Sequence, residues 1–290
     1  MNPNLLTILS FFCTSSALLL SYSTYLSNSI HFVIAILTFL YLLLDHLDGM
    51  QAKRLGGGSA LGEYLDHFLD VINSAIFLMI LKNLYIVENE VILLLAFSAV
   101  YFSQFAVFYE QQKTGCLIFG RFESFEALTI LILLFTLTGF EQGQQLVNFM
   151  VGKYRLIEWF LIISAILNLF MSMQNIWRIR LHLVEFGLLT TAISFLVIIT
   201  ELFELAINSF WLVACLATPV IEECLSARLT GKRSWMYKVL PMLFLVTFSV
   251  LNIEPAWFLV VVIFLVSFKF SRTAILLKKC KHFPQFSTES

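Results

Sequence analysis

Charge is what this chain has least of. Only 13% of its 290 residues are charged, 59% are hydrophobic and mean hydropathy is +0.88. A soluble globular domain carries about 25% charged residues, so the composition excludes a water-soluble fold and indicates a polytopic membrane protein. A net charge of −1 points to no class of partner, and no nucleic acid is expected. Metal-binding cysteine patterns are also missing. Cys13, Cys116, Cys215, Cys224 and Cys280 show no C-x-x-C spacing, which leaves them as small buried apolar residues. The first ten residues, MNPNLLTILS, hold no Lys or Arg ahead of the apolar run. A cleaved signal peptide begins with such a basic stretch, so the first span is expected to stay in the membrane. No soluble insertion, low-complexity linker or repeat interrupts the chain.

What fills the chain instead is apolar runs. A helical span takes about 20 such residues at about 1.5 Å rise each. Ten runs qualify, at 5–27, 29–47, 61–81, 90–110, 124–142, 157–174, 182–203, 206–222, 237–253 and 255–276. They are too long and too evenly apolar for barrel strands. The expected fold is an all-α, polytopic membrane helix bundle of about ten transmembrane helices, one domain over residues 1–290.

Ten spans put both termini on one side. That side carries twelve basic residues: Lys53, Arg54, Lys113, Arg121, Arg178, Arg180, Arg228, Lys232, Arg233, Lys278, Lys279 and Lys281. The other side carries Lys82, Lys153 and Arg155, and three more lie within or at the ends of runs. The positive-inside rule therefore places both termini in the cytosol. The membrane would be the endoplasmic reticulum or Golgi in a eukaryote and the inner membrane in a bacterium.

Against this background residues 45–70, DHLDGMQAKRLGGGSALGEYLDHFLD, stand out. Asp45 and Asp48 close the second run at i, i+3, and Asp66 and Asp70 lie in the third at i, i+4, so each pair shares a helix face. The Gly56–Gly58 run lets the two helices fold back as antiparallel neighbours, and it lacks the G-K-[ST] ending of a phosphate loop. Four carboxylates at one seam repel one another and need counter-charge. Two divalent cations supply it, and oxygen-only ligands point to Mg²⁺ or Mn²⁺. Such a metal pair is the usual clamp for phosphoryl or phosphodiester transfer. The alternatives are an ion-pair network with Lys53 and Arg54, or a cation-transport site. Transport sites lie nearer the bilayer midplane. Gly49 and Gly62 flank the carboxylates; they either let a ligand approach the metals or serve as turn and packing glycines.

Asp45, Asp48, Gly49, Ala52, Lys53, Gly62, Asp66 and Asp70 resemble the motif of the CDP-alcohol phosphatidyltransferase family, D-x2-D-G-x2-A-R, eight residues, then G-x3-D-x3-D. Only the Arg differs, as Lys53. The finer text, DGMQAKR then LGEYLDHFLD, is similar to the choline and ethanolamine phosphotransferase branch, with DGKQARR then LGELFDHGCD. Pro3 to Thr7 resembles that family's PNLIT stretch. Phe108-Tyr109-Glu110 to Thr114-Gly115, then Phe119-Gly120 to Glu126, resembles the branch's WE-x-Y-x-TG-x-L-x-FG…E segment.

The resemblance implies a membrane enzyme that moves phosphocholine or phosphoethanolamine from a CDP-alcohol to diacylglycerol and releases CMP. It implies two Mg²⁺ or Mn²⁺ ions on Asp45, Asp48, Asp66 and Asp70, with the base either His67 or Asp70. It places the CDP moiety against Asn4, Thr7, Asp45, Gly49, Ala52, Lys53, Arg54 and Gly62. Glu63 and Glu126 would stand near the acceptor or behind the metal ligands. Partners are the CDP-alcohol, the lipid acceptor and the bilayer, and a homodimer is left open. Asn4 has a second reading as a helix N-cap. Lys53 turns a bidentate phosphate grip into a point charge, with Arg54 beside it, and Met50 replaces a branch Lys. Other readings are a CDP-diacylglycerol-dependent transfer to a small alcohol, a cation transporter, and an inactive family member. His31 reads as a satisfied packing residue. Glu222 and Glu223 are expected to face the cytoplasmic vestibule near Arg228. Glu158 and Glu185 lie inside apolar runs and need partners.

Overall fold

Asn2 starts the first helix. Its side chain accepts the Asn4 N–H at 3.0 Å, and Pro3 occupies the first helical position, where its missing N–H costs nothing. The cap is therefore Asn2, not Asn4. The computed structural model describes residues 2–23, 28–115, 124–179, 218, 221–222, 224–230, 267 and 270–278. The helices are α1 (Pro3–Ser21), α2 (Ser29–Arg54), α3 (Ala60–Leu84), α4 (Glu90–Thr114), α5 (Ser124–Thr138), α6 (Glu141–Val147) and α7 (Leu156–Ile179). A two-residue antiparallel pair, β1 (Met150–Val151) with β2 (Tyr154–Arg155), precedes α7.

Five of these helices, α1, α2, α3, α4 and α7, are long and apolar enough to cross a membrane. The pair α5 and α6 makes a sixth candidate, bent by 118°. The first six expected spans thus each coincide with a helix or a bent pair. The expected spans at 182–203, 206–222, 237–253 and 255–276 lie outside the described residues, except 218, 221–222, 267 and 270–276, which are helical. The protein is helical and has the apolar helices of an integral membrane protein. On α2, Val33, Ile36, Leu40 and Leu43 are exposed at helical spacing, while Ile34, Thr38, Tyr41 and Leu42 are buried. An apolar stripe open to its surroundings suits lipid and would be a liability in water.

The chain divides into two compact units. The first comprises residues 1–58, 72–96 and 119–166. Within it α1 and α2 pack antiparallel: Thr7, near the start of α1, meets Asp48, near the end of α2. Residues 72–84 of α3 run beside α1, tied by Thr14 Oγ1 to Asn73 Oδ1 at 2.7 Å and by Asn83 Nδ2 to Ser21 Oγ at 2.9 Å. The α2 terminus is a Schellman cap. Gly57 N–H returns to the Ala52 carbonyl at 3.1 Å and Gly56 N–H to the Lys53 carbonyl at 3.2 Å. This turn needs a left-handed residue, and Gly56 has φ of 95°.

The bend between α5 and α6 turns on Gly139 and Gly143. A Cβ on Gly143 would meet the Leu137 carbonyl oxygen at 1.9 Å. The bend gives His31 its partners: Thr138 Oγ1 lies 3.0 Å from Nδ1 and Gln144 Nε2 lies 2.8 Å from Nε2. His31 is a satisfied packing residue, as its sequence context indicated. Glu158 also finds partners. It is buried at the start of α7 and accepts the Glu88, Asn89 and Arg155 backbone N–H groups at 3.1, 3.2 and 2.9 Å. Arg155 pairs with Glu88 beside it. Glu158 is a structural staple of the α3–α4 loop. Glu185 lies outside the described residues.

The second unit comprises residues 59–71, 97–118 and 167–290. Its described core stacks three rings: Phe270 lies 5.6 Å from Tyr64 and 4.8 Å from Phe68. The helical residues 221–222, 224–230 and 270–278 join α3 through Glu222, which accepts Tyr64 Oη at 2.8 Å and Thr273 Oγ1 at 3.1 Å.

Candidate active site

In the first unit the carboxylates sit in the last turns of α2. Asp48 is buried, and Thr7 Oγ1 donates to its Oδ2 at 2.5 Å. A hydroxyl-to-carboxylate bond is of the strong, charge-assisted kind when the carboxylate is ionised. The Thr7 hydroxyl, expected in the nucleotide site, donates to Asp48 here. Asp45 lies three residues earlier and is partly buried. Lys53 and Arg54 are exposed in the last turn, where the helix dipole favours cations. Among the described residues no ion pair joins either of them to Asp45 or Asp48. The ion-pair network considered from sequence therefore does not form on α2.

Gly49 is exposed inside α2, and a Cβ there would meet nothing within 4 Å. It lies inside a helix rather than in a turn, and among the described residues nothing packs on it, although glycine costs a helix interior about 1 kcal/mol relative to alanine. Ala52 lies one turn on, part-exposed, and Asn4 is part-exposed at the start of α1. The α5 start reaches the same end of this unit, because Phe125 packs against His46 with ring centroids 5.4 Å apart. Glu126 follows Phe125 in that first turn and is exposed.

In the second unit the remaining motif residues share the first three turns of α3. Ser59 caps the helix: its Oγ accepts the Gly62 N–H at 3.0 Å. Gly62 is therefore part of the cap. Asp66, His67 and Asp70 each offer a ligand atom within 4.8 Å of the others. Oxygens predominate in this donor set, which suits a hard divalent cation; an imidazole is the softer ligand, preferred by zinc-like ions. The carboxylates thus fit Mg²⁺ or Mn²⁺, and His67 is the one nitrogen donor of the three. The imidazole packs on Phe108 at 5.4 Å, with Nδ1 3.7 Å from Asp66 Oδ2 and Nε2 3.9 Å from Glu63 Oε1.

Two residues far along the chain complete this unit's site. Arg228 forms an ion pair with Glu63. Glu222 does not face an open vestibule: it is 2% exposed and is held by Tyr64 and Thr273. Glu223 lies outside the described residues. Glu110, 1% exposed, faces Arg178 Nε at 3.3 Å, although neither of its oxygens has a hydrogen-bond partner among the described residues. Neither Arg228 nor Arg178 announces itself locally in the sequence.

Comparison with known proteins decides the family. A model of the CDP-alcohol phosphatidyltransferases matches residues 1–166, more than half of the chain. The chain belongs to the CDP-alcohol phosphatidyltransferase family. It is 40% identical over 82 residues to choline/ethanolaminephosphotransferase 2 of Arabidopsis thaliana, a stretch that is 26% of this chain and 21% of that relative. It is 28% identical over 156 residues to the CDP-diacylglycerol–serine O-phosphatidyltransferase of Encephalitozoon cuniculi, covering 52% and 38% of the two chains. The match thus spans about a fifth of the length of the plant relative. Arg228 and Glu222 lie beyond the part of the chain that the family model covers.

Proposed function

We propose that the protein transfers phosphocholine or phosphoethanolamine from its CDP ester to the hydroxyl of diacylglycerol. The observation that carries this reading is the motif from Asp45 to Asp70, intact but for Lys53, with Asp66, His67 and Asp70 gathered within 4.8 Å on one helix. Asp45, Asp48, Asp66 and Asp70 would hold two Mg²⁺ or Mn²⁺ ions, whose bound charge offsets the diphosphate and makes its phosphorus more electrophilic. Lys53 and Arg54 hold phosphate oxygens as point charge and fork. The open face at Gly49, beside Ala52 and Asn4, leaves room for the nucleotide. His67 takes the proton of the acceptor hydroxyl. The alcohol oxygen bonds to the distal phosphorus, the bond to CMP breaks, and CMP leaves with the electron pair. Asp70 then serves as metal ligand rather than base. Both termini and the motif face the cytosol in this reading, on the basic-residue asymmetry.

A second reading exchanges the lipid and the alcohol, with CDP-diacylglycerol as donor and a small hydroxylated molecule as acceptor. The 156-residue likeness to the serine phosphatidyltransferase favours it. One experiment separates the two. Purified protein in liposomes receives radiolabelled CDP-choline, CDP-ethanolamine or CDP-diacylglycerol with serine, each with Mg²⁺ or with EDTA. The first reading expects labelled phospholipid from a CDP-amino-alcohol and diacylglycerol, abolished by EDTA. Turnover of CDP-diacylglycerol alone establishes the second, and no CMP from any donor removes both.

A further inference from the structure

The Glu63 carboxylate stands between two groups. Its Oε1 lies 3.9 Å from His67 Nε2, and the same oxygen is held by Arg228. All three side chains are largely sequestered, at 17% exposure for Glu63, 16% for His67 and 8% for Arg228. A gap of 3.9 Å is beyond hydrogen-bond reach, yet one rotamer adjustment of a glutamate closes it. In low-dielectric surroundings a carboxylate without its cation takes the nearest N–H donor. Among the described residues the imidazole offers such a donor, 3.9 Å from that oxygen.

We propose that Arg228 is a positioning residue that keeps Glu63 off His67, so that Nε2 stays open to the acceptor hydroxyl. This rests on the reading of His67 as base. It also gives a role to a residue beyond the 1–166 stretch that the family model covers. Around Glu63 the arrangement is asymmetric. Removing Arg228 frees the Glu63 carboxylate to bind Nε2, whereas removing Glu63 takes that carboxylate away and leaves Asp66 on the Nδ1 side. A pair that served only to hold the two helices together would respond alike to either loss.

The test is made on full-length protein in liposomes with Arg228→Ala, Glu63→Ala, the double variant and Arg228→Lys. Carbethoxylation of His67 by diethyl pyrocarbonate, read by mass spectrometry, reports whether Nε2 is open and needs no turnover. Arg228→Ala is expected to slow that modification by about fivefold, the scale of one hydrogen bond, and the double variant to restore it. In turnover, Arg228→Ala is expected to lower kcat by about 10- to 100-fold with donor KM little changed, as when a general base is masked. The kcat loss in Glu63→Ala is smaller by about tenfold on the same scale, and Arg228→Lys recovers part of the loss. Equal modification rates in wild type and Arg228→Ala overturn the proposal, as does a Glu63→Ala loss as large as that of Arg228→Ala. If no donor is turned over, the functional reading falls while the carbethoxylation order still decides whether Arg228 keeps Nε2 open.

Discussion

Replacing Thr7 by valine removes one hydroxyl and keeps the shape of the side chain. The hydroxyl donates to buried Asp48 at 2.5 Å, and its other partner among the described residues is the Pro3 carbonyl at 3.3 Å. A hydrogen bond to an ionised group contributes about 1.5–3 kcal/mol. Groups that orient a metal ligand typically change metal affinity by about 10- to 100-fold, the same scale, since 1.4 kcal/mol is about tenfold. Thr7→Val is therefore expected to raise the Mg²⁺ concentration for half-maximal CMP release by about tenfold or more. At saturating Mg²⁺ the donor KM should move little, and Thr7→Ser should stay near wild type because it keeps the donor. The assay is CMP release from proteoliposomes across an Mg²⁺ titration at fixed, saturating donor. An unchanged Mg²⁺ midpoint with a raised donor KM would refute the reasoning. It would return Thr7 to the nucleotide contact that its sequence position indicated.

Other outcomes follow from single residues. Asp66→Ala should abolish CMP release, and His67→Ala should lower kcat by about 100-fold or more; persistent turnover in His67→Ala would move the base to Asp70. Glu158→Ala deprives three backbone N–H groups of their acceptor and should destabilise the protein by about 3 kcal/mol or more. That loss would appear as a lower thermal midpoint in detergent without a change in kcat per folded molecule, and an unshifted midpoint contradicts the staple role. Gly143→Ala forces the 118° bend open against the Leu137 carbonyl and should cost about 1–3 kcal/mol. Wild-type stability in that variant would mean the bend is not tightly packed.

Much of the site could be read locally because helix geometry turns short spacings into shared faces. Asp66, His67 and Asp70 lie within one helical turn, and their clustering follows from the 3.6-residue period. The Gly56–Gly58 run marked a loop after α2, but that α2 continues to Arg54 and that Gly56 takes the left-handed cap position came from the structure. The exchange of roles at the N-terminus was less accessible. Asn2 and Asn4 both suit a cap, and which one caps depends on where the first turn closes. The α5–α6 bend escaped hydropathy because the apolar run simply ends at Phe140, and the polar stretch Glu141–Gln145 gives no local sign that a second helix resumes at 118° to the first. Glu158 lay at the start of an apolar run; two of its three partners come from the α3–α4 loop, about 70 positions away, and only the Arg155 N–H is local.

By itself the sequence determined the membrane setting, the helical class and the family motif, because those rest on composition and on spacings within a turn or two. Only the tertiary structure decided what the buried polar groups do. Thr7 reaches Asp48 across 41 positions, Tyr64 reaches Glu222 across 158, and Arg228 reaches Glu63 across 165. Where little water is available, each such group must find a partner wherever the fold brings one. No local pattern specifies which distant residue that will be.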